Sequence, residues 1–349
     1  EMPMCDWSSD VCSSDLWRAE VEGMATKALG VSVRIGAVEG KTNGLFPSIH
    51  LRDVKIFDRQ NREALHLPQV VATISARSVL RKGLEQLSID APELDVRHLA
   101  DGRWQVAGLD LVENNNAQSP GLHWLLEQPE IMLRKGLLRF TDEQRGMATV
   151  SLHDVDMVLR NRHWSHAVRL EASPAQQDGE RLQLVGTFRE SLLPSTQAPW
   201  MGWSGQWYAH MHLHRLPALP WPAAWGIDSV HGSGLARVWV DVEYGQNTAV
   251  TLDVAQAQAQ VQWRDTALTA LDVRQVQGRL QAQRSEDNWL LQGQNFGFQL
   301  NDGSLWRPGN WAIHASLREK HEHSVSLQLD YANLRMAQKV LEALPAPQI

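Results

Sequence analysis

The stretch SIHLRDVKIFD, residues 48–58, alternates like a β-strand but changes phase in its middle. Ile49 and Leu51 occupy odd positions, whereas Val54 and Ile56 occupy even positions. Because successive side chains of a strand point to opposite faces, a regular strand would expose half of these apolar groups. A β-bulge between the two pairs absorbs one residue and returns all four to one face. The stretch therefore predicts a bulged strand.

The same phase change recurs further along the chain. LRDVKI (51–56) and LHDVDM (152–157) share the pattern L-x-D-V-x-[IM], which predicts one bulge at Asp53 and a second at Asp154. Repeated bulges would give a strongly curved sheet. The apolar residues that flank the two bulges are the candidate lining of a groove: Ile49, Leu51, Val54, Ile56, Val150, Leu152, Val155 and Met157.

Short alternating runs fill most of the chain, and the clearest is VTLDVAQAQAQVQW at 250–263. Helical spacing occurs at residues 17–30, which end in glycine, and at residues 333–344, which begin with Asn333 as a cap. LHWLLEQ (122–128) predicts a short helical turn between them. Asp101–Gly102 predicts a two-residue hairpin. We predict a mainly β fold, an elongated and strongly twisted antiparallel sheet with a helix near each end.

An internal repeat divides the chain. Several strands followed by a short helical segment occur twice, which predicts a first repeat unit at 114–226 and a second, truncated unit at 227–349. Residues 17–113 would form the first helix and the start of the groove. The string CDWSSDVCSSDL within residues 1–16 resembles translated sequencing-adapter sequence, so we exclude these residues from the fold prediction.

Composition excludes several classes of function. The tail at 1–16 holds both cysteines and four acids, which leaves 36 acidic against 33 basic residues in a cysteine-free body. A net charge of −3 for residues 17–349 argues against a surface that binds nucleic acid. No run of 18 apolar residues is present, so we expect that any membrane anchor is missing from this sequence.

Motifs for catalysis or cofactors are weak. MGWSGQW lacks the glycine spacing of a nucleophile elbow, and HGSGLAR lacks the third glycine of a dinucleotide loop. His210, His212 and His214 share one strand face, but histidines on a strand are more often packed or solvated than metal-bound. We therefore expect no catalytic residue, no metal and no cofactor.

Tryptophan is abundant, with 15 in the chain and a cluster at positions 200, 203, 207, 221 and 225. Three interpretations are open: the rings fill core and rim positions, they stack on sugars in a glycan-binding module, or they sit where lipid headgroups meet water. The second interpretation, stacking on sugars, leads to the alternative function: a periplasmic glycan-binding or scaffolding β-protein.

Residues 17–349 resemble the AsmA-like superfamily. The shared series is a helix ending in LG, the strand VSVRIG, the strand PSIHLRDV, the turn SVL and the hairpin ADGRW. LHRLPALPWPAAW and LQLDYANLRMAQKVL, each following a strand group, are most similar to its YhdP branch.

The resemblance implies a role that periodicity alone does not. Such proteins are bridge-like lipid transfer proteins of Gram-negative bacteria, anchored in the inner membrane by an N-terminal helix. Their β-groove crosses the periplasm and carries phospholipid acyl chains toward the outer membrane, supporting envelope lipid homeostasis. Alternating apolar residues fit the lining of an open groove and the inside of a sealed core equally well. The residues alone therefore leave the choice between a groove and a sealed core open.

Overall fold

The computed structural model describes residues 10–43, 46–57, 61–75, 78, 83–107, 109–110, 124–125, 127–144, 146–147, 149–162, 164–174, 181–190, 202–213, 226–265, 267–285, 288–317 and 323–343. The helices are α1 (Asp10–Leu29) and α2 (Leu334–Glu342). The strands are β1 (Val33–Asn43), β2 (Phe46–Phe57), β3 (Glu63–Thr73), β4 (Gln86–Asp90), β5 (Glu93–His98), β6 (Trp104–Val106), β7 (Leu109–Asp110), β8 (Glu130–Asp142), β9 (Val150–Arg162), β10 (Ser165–Pro174), β11 (Leu182–Glu190), β12 (Trp203–Leu213), β13 (Ile227–Glu243), β14 (Gln246–Trp263), β15 (Leu271–Ser285), β16 (Asn288–Leu300), β17 (Leu305–Leu317) and β18 (His323–Leu329).

All the strands belong to one long, open, twisted sheet. From β8 to β18 each strand pairs antiparallel with the next one in the chain. Parallel pairing is confined, among the described strands, to β8 with β4 and β5. The predicted mainly β, antiparallel fold with a helix near each end is confirmed.

Helix α1 lies at the β1 end of the sheet and begins at Asp10, earlier than the predicted residue 17. It ends where predicted, because Gly30 adopts a φ of 70° and donates its N–H to the Thr26 carbonyl (2.9 Å). The helix also caps the edge of the sheet. Glu22 Oε1 accepts the N–H of Ile35 (2.6 Å), and Thr26 Oγ1 accepts that of Val33 (3.1 Å).

Helix α2 follows β18 and has the predicted cap, since the Asn333 side chain accepts the N–H of Met336 (3.2 Å). The predicted hairpin at Asp101–Gly102 is also present, but its loop has three residues. Leu99 and Arg103 are joined by a backbone hydrogen bond of 2.8 Å, and of the two central residues Gly102 alone has a positive φ, 83°. Within the described residues, neither helix combines the length and apolar composition needed to cross a bilayer.

Candidate functional site

Paired residues bring apolar side chains into a continuous row along one face of the sheet. Residues that are register partners on neighbouring strands point to the same face, so successive pairs can be followed from strand to strand. This first row crosses β1–β4 and β8–β18 and consists of Val38, Leu51, Val70, Ile89, Leu133, Met157, Leu170, Leu184, Ala209, Val238, Leu252, Leu280, Gly293, Trp311 and Leu329.

A second row runs beside the first, two residues away along each strand. It consists of Gly40, Ile49, Ala72, Leu87, Ile131, Leu159, Val168, Gly186, Trp207, Val240, Val250, Ala282, Leu291, Ile313 and Leu327. At the usual strand spacing of about 4.8 Å, two rows that cross fifteen strands form an apolar track about 70 Å long.

Two glycines in the track lie beneath tryptophan rings. A Cβ added at Gly293 would come within 2.2 Å of the Trp311 ring, and one at Gly186 within 2.6 Å of the Trp207 ring. Each indole therefore occupies the space that a side chain at the neighbouring glycine would fill. As a result, the glycines leave no polar break in the track.

The track offers very little for a polar ligand to bind. Apart from the indole N–H of its tryptophans and the weakly accepting sulfur of Met157, its side chains carry no hydrogen-bonding group. The backbone N–H and C=O groups of these strands pair along the sheet. The opposite face is polar, with ion pairs such as Arg279–Asp253 (2.6 Å), whose hydrogen bond lowers the pKa of the Asp253 carboxyl. One face of the sheet is thus suited to hydrocarbon and the other to water.

A line of left-handed residues runs across the strands beside the track, and we call it the crease. Its members are the non-glycine residues within strands whose φ lies between 48° and 52°: Asp53, Lys135, Asp154, Gln256, Gln275 and Asn295. The register shifts by one residue beside most of them, in the pairings of β8–β9, β13–β14, β14–β15, β15–β16 and β16–β17. On each of these strands, the apolar residues before the crease and those after it therefore differ in odd or even position, yet point to the same face.

The two predicted bulge positions belong to this crease but differ in pairing. At Asp154 the register with both neighbouring strands shifts. At Asp53 the pairing passes from Val54 to Arg52 without a net change of register, because β1 and β3 each skip one residue at the same level. A Cβ on Gly36, opposite Asp53, would lie 2.9 Å from the aspartate Cβ, so glycine is needed for this close approach.

The candidate lining residues of β2 belong to, or pack against, a buried cluster that α1 also contacts. Leu51, Val54 and Ile56 belong to a buried cluster, and Ile49 packs against it. The apolar side of α1 closes over the same cluster through Val21, Ala25 and Leu29. At the β1 end, protein side chains therefore bury part of the track, including Leu51 and Val70.

The candidate lining residues of β9 lie on both sides of the crease. Met157 belongs to the first row, and Val155, which is 4% exposed, pairs with Gly136 at the crease itself. Leu152 and Val150 lie beyond the crease, opposite Leu138 and Phe140. These four residues are therefore not brought into one row.

The opposite end of the track is open to solvent. On β14, β16 and β18 the second-row residues Val250, Leu291 and Leu327 are 39%, 38% and 60% exposed. No described element packs on them in the way that α1 packs on the buried cluster at the β1 end, and β18 pairs with β17 on one side only among the described strands. Sequence analysis missed this contrast between the two ends.

A third row forms the rim of the track and is more polar. On β9–β11 it contains Asn161, His166 and Phe188. His166 Nδ1 donates a hydrogen bond to Asn161 Oδ1 (2.8 Å), and the ring stacks on Trp203, with 3.9 Å between the ring centroids. Burial lowers the pKa of His166 and favours its neutral form.

The tryptophan cluster is described only at Trp203 and Trp207. Trp203 is 9% exposed, and Trp207 covers Gly186, so both rings pack against protein. Tryptophans 200, 221 and 225 lie outside the described residues. Neither described ring of this cluster has the open face that stacking on a sugar requires.

The histidine triplet gives no metal centre that the structure can describe. His210 pairs with Arg237 on the polar face, and the side chains of His212 and His214 lie outside the described residues. In the part of the chain that is described, no three His, Cys, Asp or Glu side chains are grouped to hold a metal ion.

Comparison with known proteins identifies the family. A search of curated proteins finds no match. A family model with the description YhdP protein matches residues 14–349, which is almost the whole chain. The chain therefore belongs to the YhdP family, whose members are envelope proteins related to lipid transport.

Proposed function

We propose that this protein carries phospholipid along the apolar track of its sheet, in the periplasm and toward the outer membrane. One observation carries the proposal: the two rows run side by side across fifteen strands with no charged residue among them. Acyl chains have no hydrogen-bonding group, so they are matched to a surface of this kind.

The physical basis is burial of hydrocarbon. Each methylene group removed from water contributes about 0.8 kcal/mol, whichever apolar side chain covers it. Lipid can therefore shift along rows of similar side chains without a large energetic barrier. A polar headgroup beyond the rim would stay in water. Such transport needs no catalytic group.

In the full-length protein we propose that an inner-membrane anchor precedes this region and that the track receives lipid from that membrane. Family membership and the apolar track support this arrangement. A sealed glycan-binding sandwich is less well supported, because the exposed face is apolar and the described cluster tryptophans are packed.

The test is the lipid content of the protein purified without detergent, measured by mass spectrometry of an organic extract. We expect co-purifying phospholipid in the wild type. Leu252→Glu places a charge within the first row, where desolvation of an unpaired carboxylate costs several kcal/mol, and should abolish it. Thr251→Glu is the matched control, since Thr251 is adjacent on β14 and points to the other face. A folded wild type without bound lipid, or equal lipid in both variants, would contradict the proposal.

A further inference from the structure

A chain of hydrogen bonds fixes the tautomer of His166 at the rim of the track. Asn161 Nδ2 donates to the Gln128 backbone carbonyl (2.8 Å), so Asn161 Oδ1 is the atom that faces His166 Nδ1 at 2.8 Å. Because an amide oxygen can only accept a hydrogen bond, Nδ1 carries the ring proton. In the neutral ring the other nitrogen, Nε2, is therefore an acceptor.

This acceptor is buried beside a carboxylate. His166 is 8% exposed, and among the described residues its Nε2 has no hydrogen-bond partner. Glu190 Oε2, on the neighbouring strand β11, lies 4.0 Å from Nε2, which is too far for a hydrogen bond. With Glu190 ionised, both facing atoms are acceptors, and a buried acceptor that lacks a donor is costly. The pair therefore lacks one hydrogen between its two facing atoms.

We propose that His166 and Glu190 form a proton-binding site that switches the charge of the rim. A proton from solvent forms an N–H bond at Nε2 and turns this nitrogen into a donor beside the Glu190 carboxylate. The two side chains then close to a charge-assisted hydrogen bond of about 2.8 Å. The rim at β10 and β11 thereby changes from carrying the negative charge of Glu190 to carrying a neutral ion pair. This switch operates whatever ligand the track carries.

Burial opposes the protonated ring, and two contacts favour it. Because burial outweighs the attraction of Glu190, the pKa of His166 lies below its ordinary value of 6.5. The Trp203 indole, whose centroid lies 3.9 Å from that of the imidazole, attracts a cation through its π face. Proton uptake therefore takes place mainly below pH 6.5, and at neutral pH the rim keeps the charge of Glu190.

Glu190 is the one charged group that faces the ring from the described parts of the strands around it. The facing residue on β9 is Asn161, and those on β11 are Phe188 and Glu190, while β12 contributes the uncharged indole. The arginines that follow Asn161 and Phe188, at positions 162 and 189, point to the opposite face of the sheet. A change of charge at Glu190 should therefore act directly on the titration of His166.

Nuclear magnetic resonance of the full chain with isotope-labelled histidine tests the site. At neutral pH, long-range proton–nitrogen spectra should place the single ring proton of His166 on Nδ1, and acid titration should add the second proton below pH 6.5. Glu190→Gln removes the charge but keeps the size, and should lower the titration midpoint by about 0.5 pH unit. His166→Asn identifies the signal by its loss. His153, exposed on β9, is the internal control and should titrate identically in the wild type and Glu190→Gln.

The carboxyl carbon of Glu190 provides a second readout, because this group gains a hydrogen bond when His166 takes up the proton. Its signal in the wild type should move with the same midpoint as the His166 ring. Four results would each overturn the site: a ring proton on Nε2 at neutral pH, a wild-type midpoint at or above pH 6.5, an equal midpoint in Glu190→Gln, or a carboxyl signal that ignores the titration of His166. Lipid carriage is tested separately by the organic extract, so it stands or falls independently.

Discussion

At the scale of single residues, the crease depends on side chains that tolerate left-handed backbone. Asp and Asn adopt a positive φ more readily than most residues, whereas β-branched residues are strongly disfavoured there. Asp53, Asp154 and Asn295 fit this preference, with φ of 52°, 48° and 48°. The aspartate of the repeated L-x-D-V motif is thus explained by its backbone conformation, and no catalytic role is needed.

Asp154→Val should destabilise the protein by about 1–2 kcal/mol, because valine resists the left-handed conformation. Asp154→Gly should be as stable as the wild type, and Asp154→Asn is the control of similar size. The Arg181 guanidinium donates a hydrogen bond to the Asp154 backbone carbonyl (2.8 Å), which all three variants keep. All three variants lose the charge of Asp154, so their comparison isolates the backbone conformation. The measurement is the midpoint of thermal unfolding followed by circular dichroism. Equal midpoints for the valine and glycine variants would show that φ at this position does not matter.

At the scale of elements, α1 covers both the edge and the apolar face of β1. An unpaired edge strand tends to recruit other strands, and here two of its N–H groups are taken by Glu22 and Thr26. The same helix packs Val21, Ala25 and Leu29 over the buried cluster. One element therefore closes one end of the track and protects the edge there.

Glu22→Ala should expose this edge and cost about 1.5–3 kcal/mol, since a charged acceptor for the Ile35 N–H is lost. Glu22→Gln keeps an acceptor oxygen and should recover much of the loss. Glu20→Ala, at an exposed position of the same helix, is the control. Hydrogen exchange at the Ile35 amide, followed by mass spectrometry, should accelerate in Glu22→Ala alone. Unchanged exchange would mean that the contact does not protect the edge.

At the scale of the whole molecule, the two ends of the track differ in access. Leu51 of β2 lies in the buried cluster that α1 contacts, whereas the second-row residues of β14, β16 and β18 are exposed to solvent. Acyl chains can reach the second set without displacing any described element.

A photo-crosslinking amino acid at Leu291 should therefore capture lipid, and one at Leu51 should not. Both positions belong to the rows, so the comparison holds the chemistry constant and changes only coverage. The measurement is mass spectrometry of lipid attached after irradiation in cells, with Gln292, which lies beside Leu291 on the opposite face, as background. Equal capture at Leu51 and Leu291 would show that α1 leaves the track during transport.

Local patterns in the sequence determined the elements. Alternation identified the strands, the phase change at Asp53 and Asp154 predicted bulges, and Gly30 and Asn333 marked helix ends, because each signal depends on residues close together in the chain. Even so, the crease at Lys135, Gln256 and Gln275 was missed, since these residue types do not usually indicate a left-handed backbone.

Tertiary structure decided which apolar residues are covered. Leu51 and Leu291 are both leucines of a β-strand, yet Leu51 lies in the buried cluster that α1 contacts and Leu291 is exposed to solvent. Likewise, strand register brings Asn161, His166 and Glu190 of three different strands together at the rim. Coverage and register depend on contacts between distant segments, and periodicity within a single strand carries no information about what packs on its apolar face.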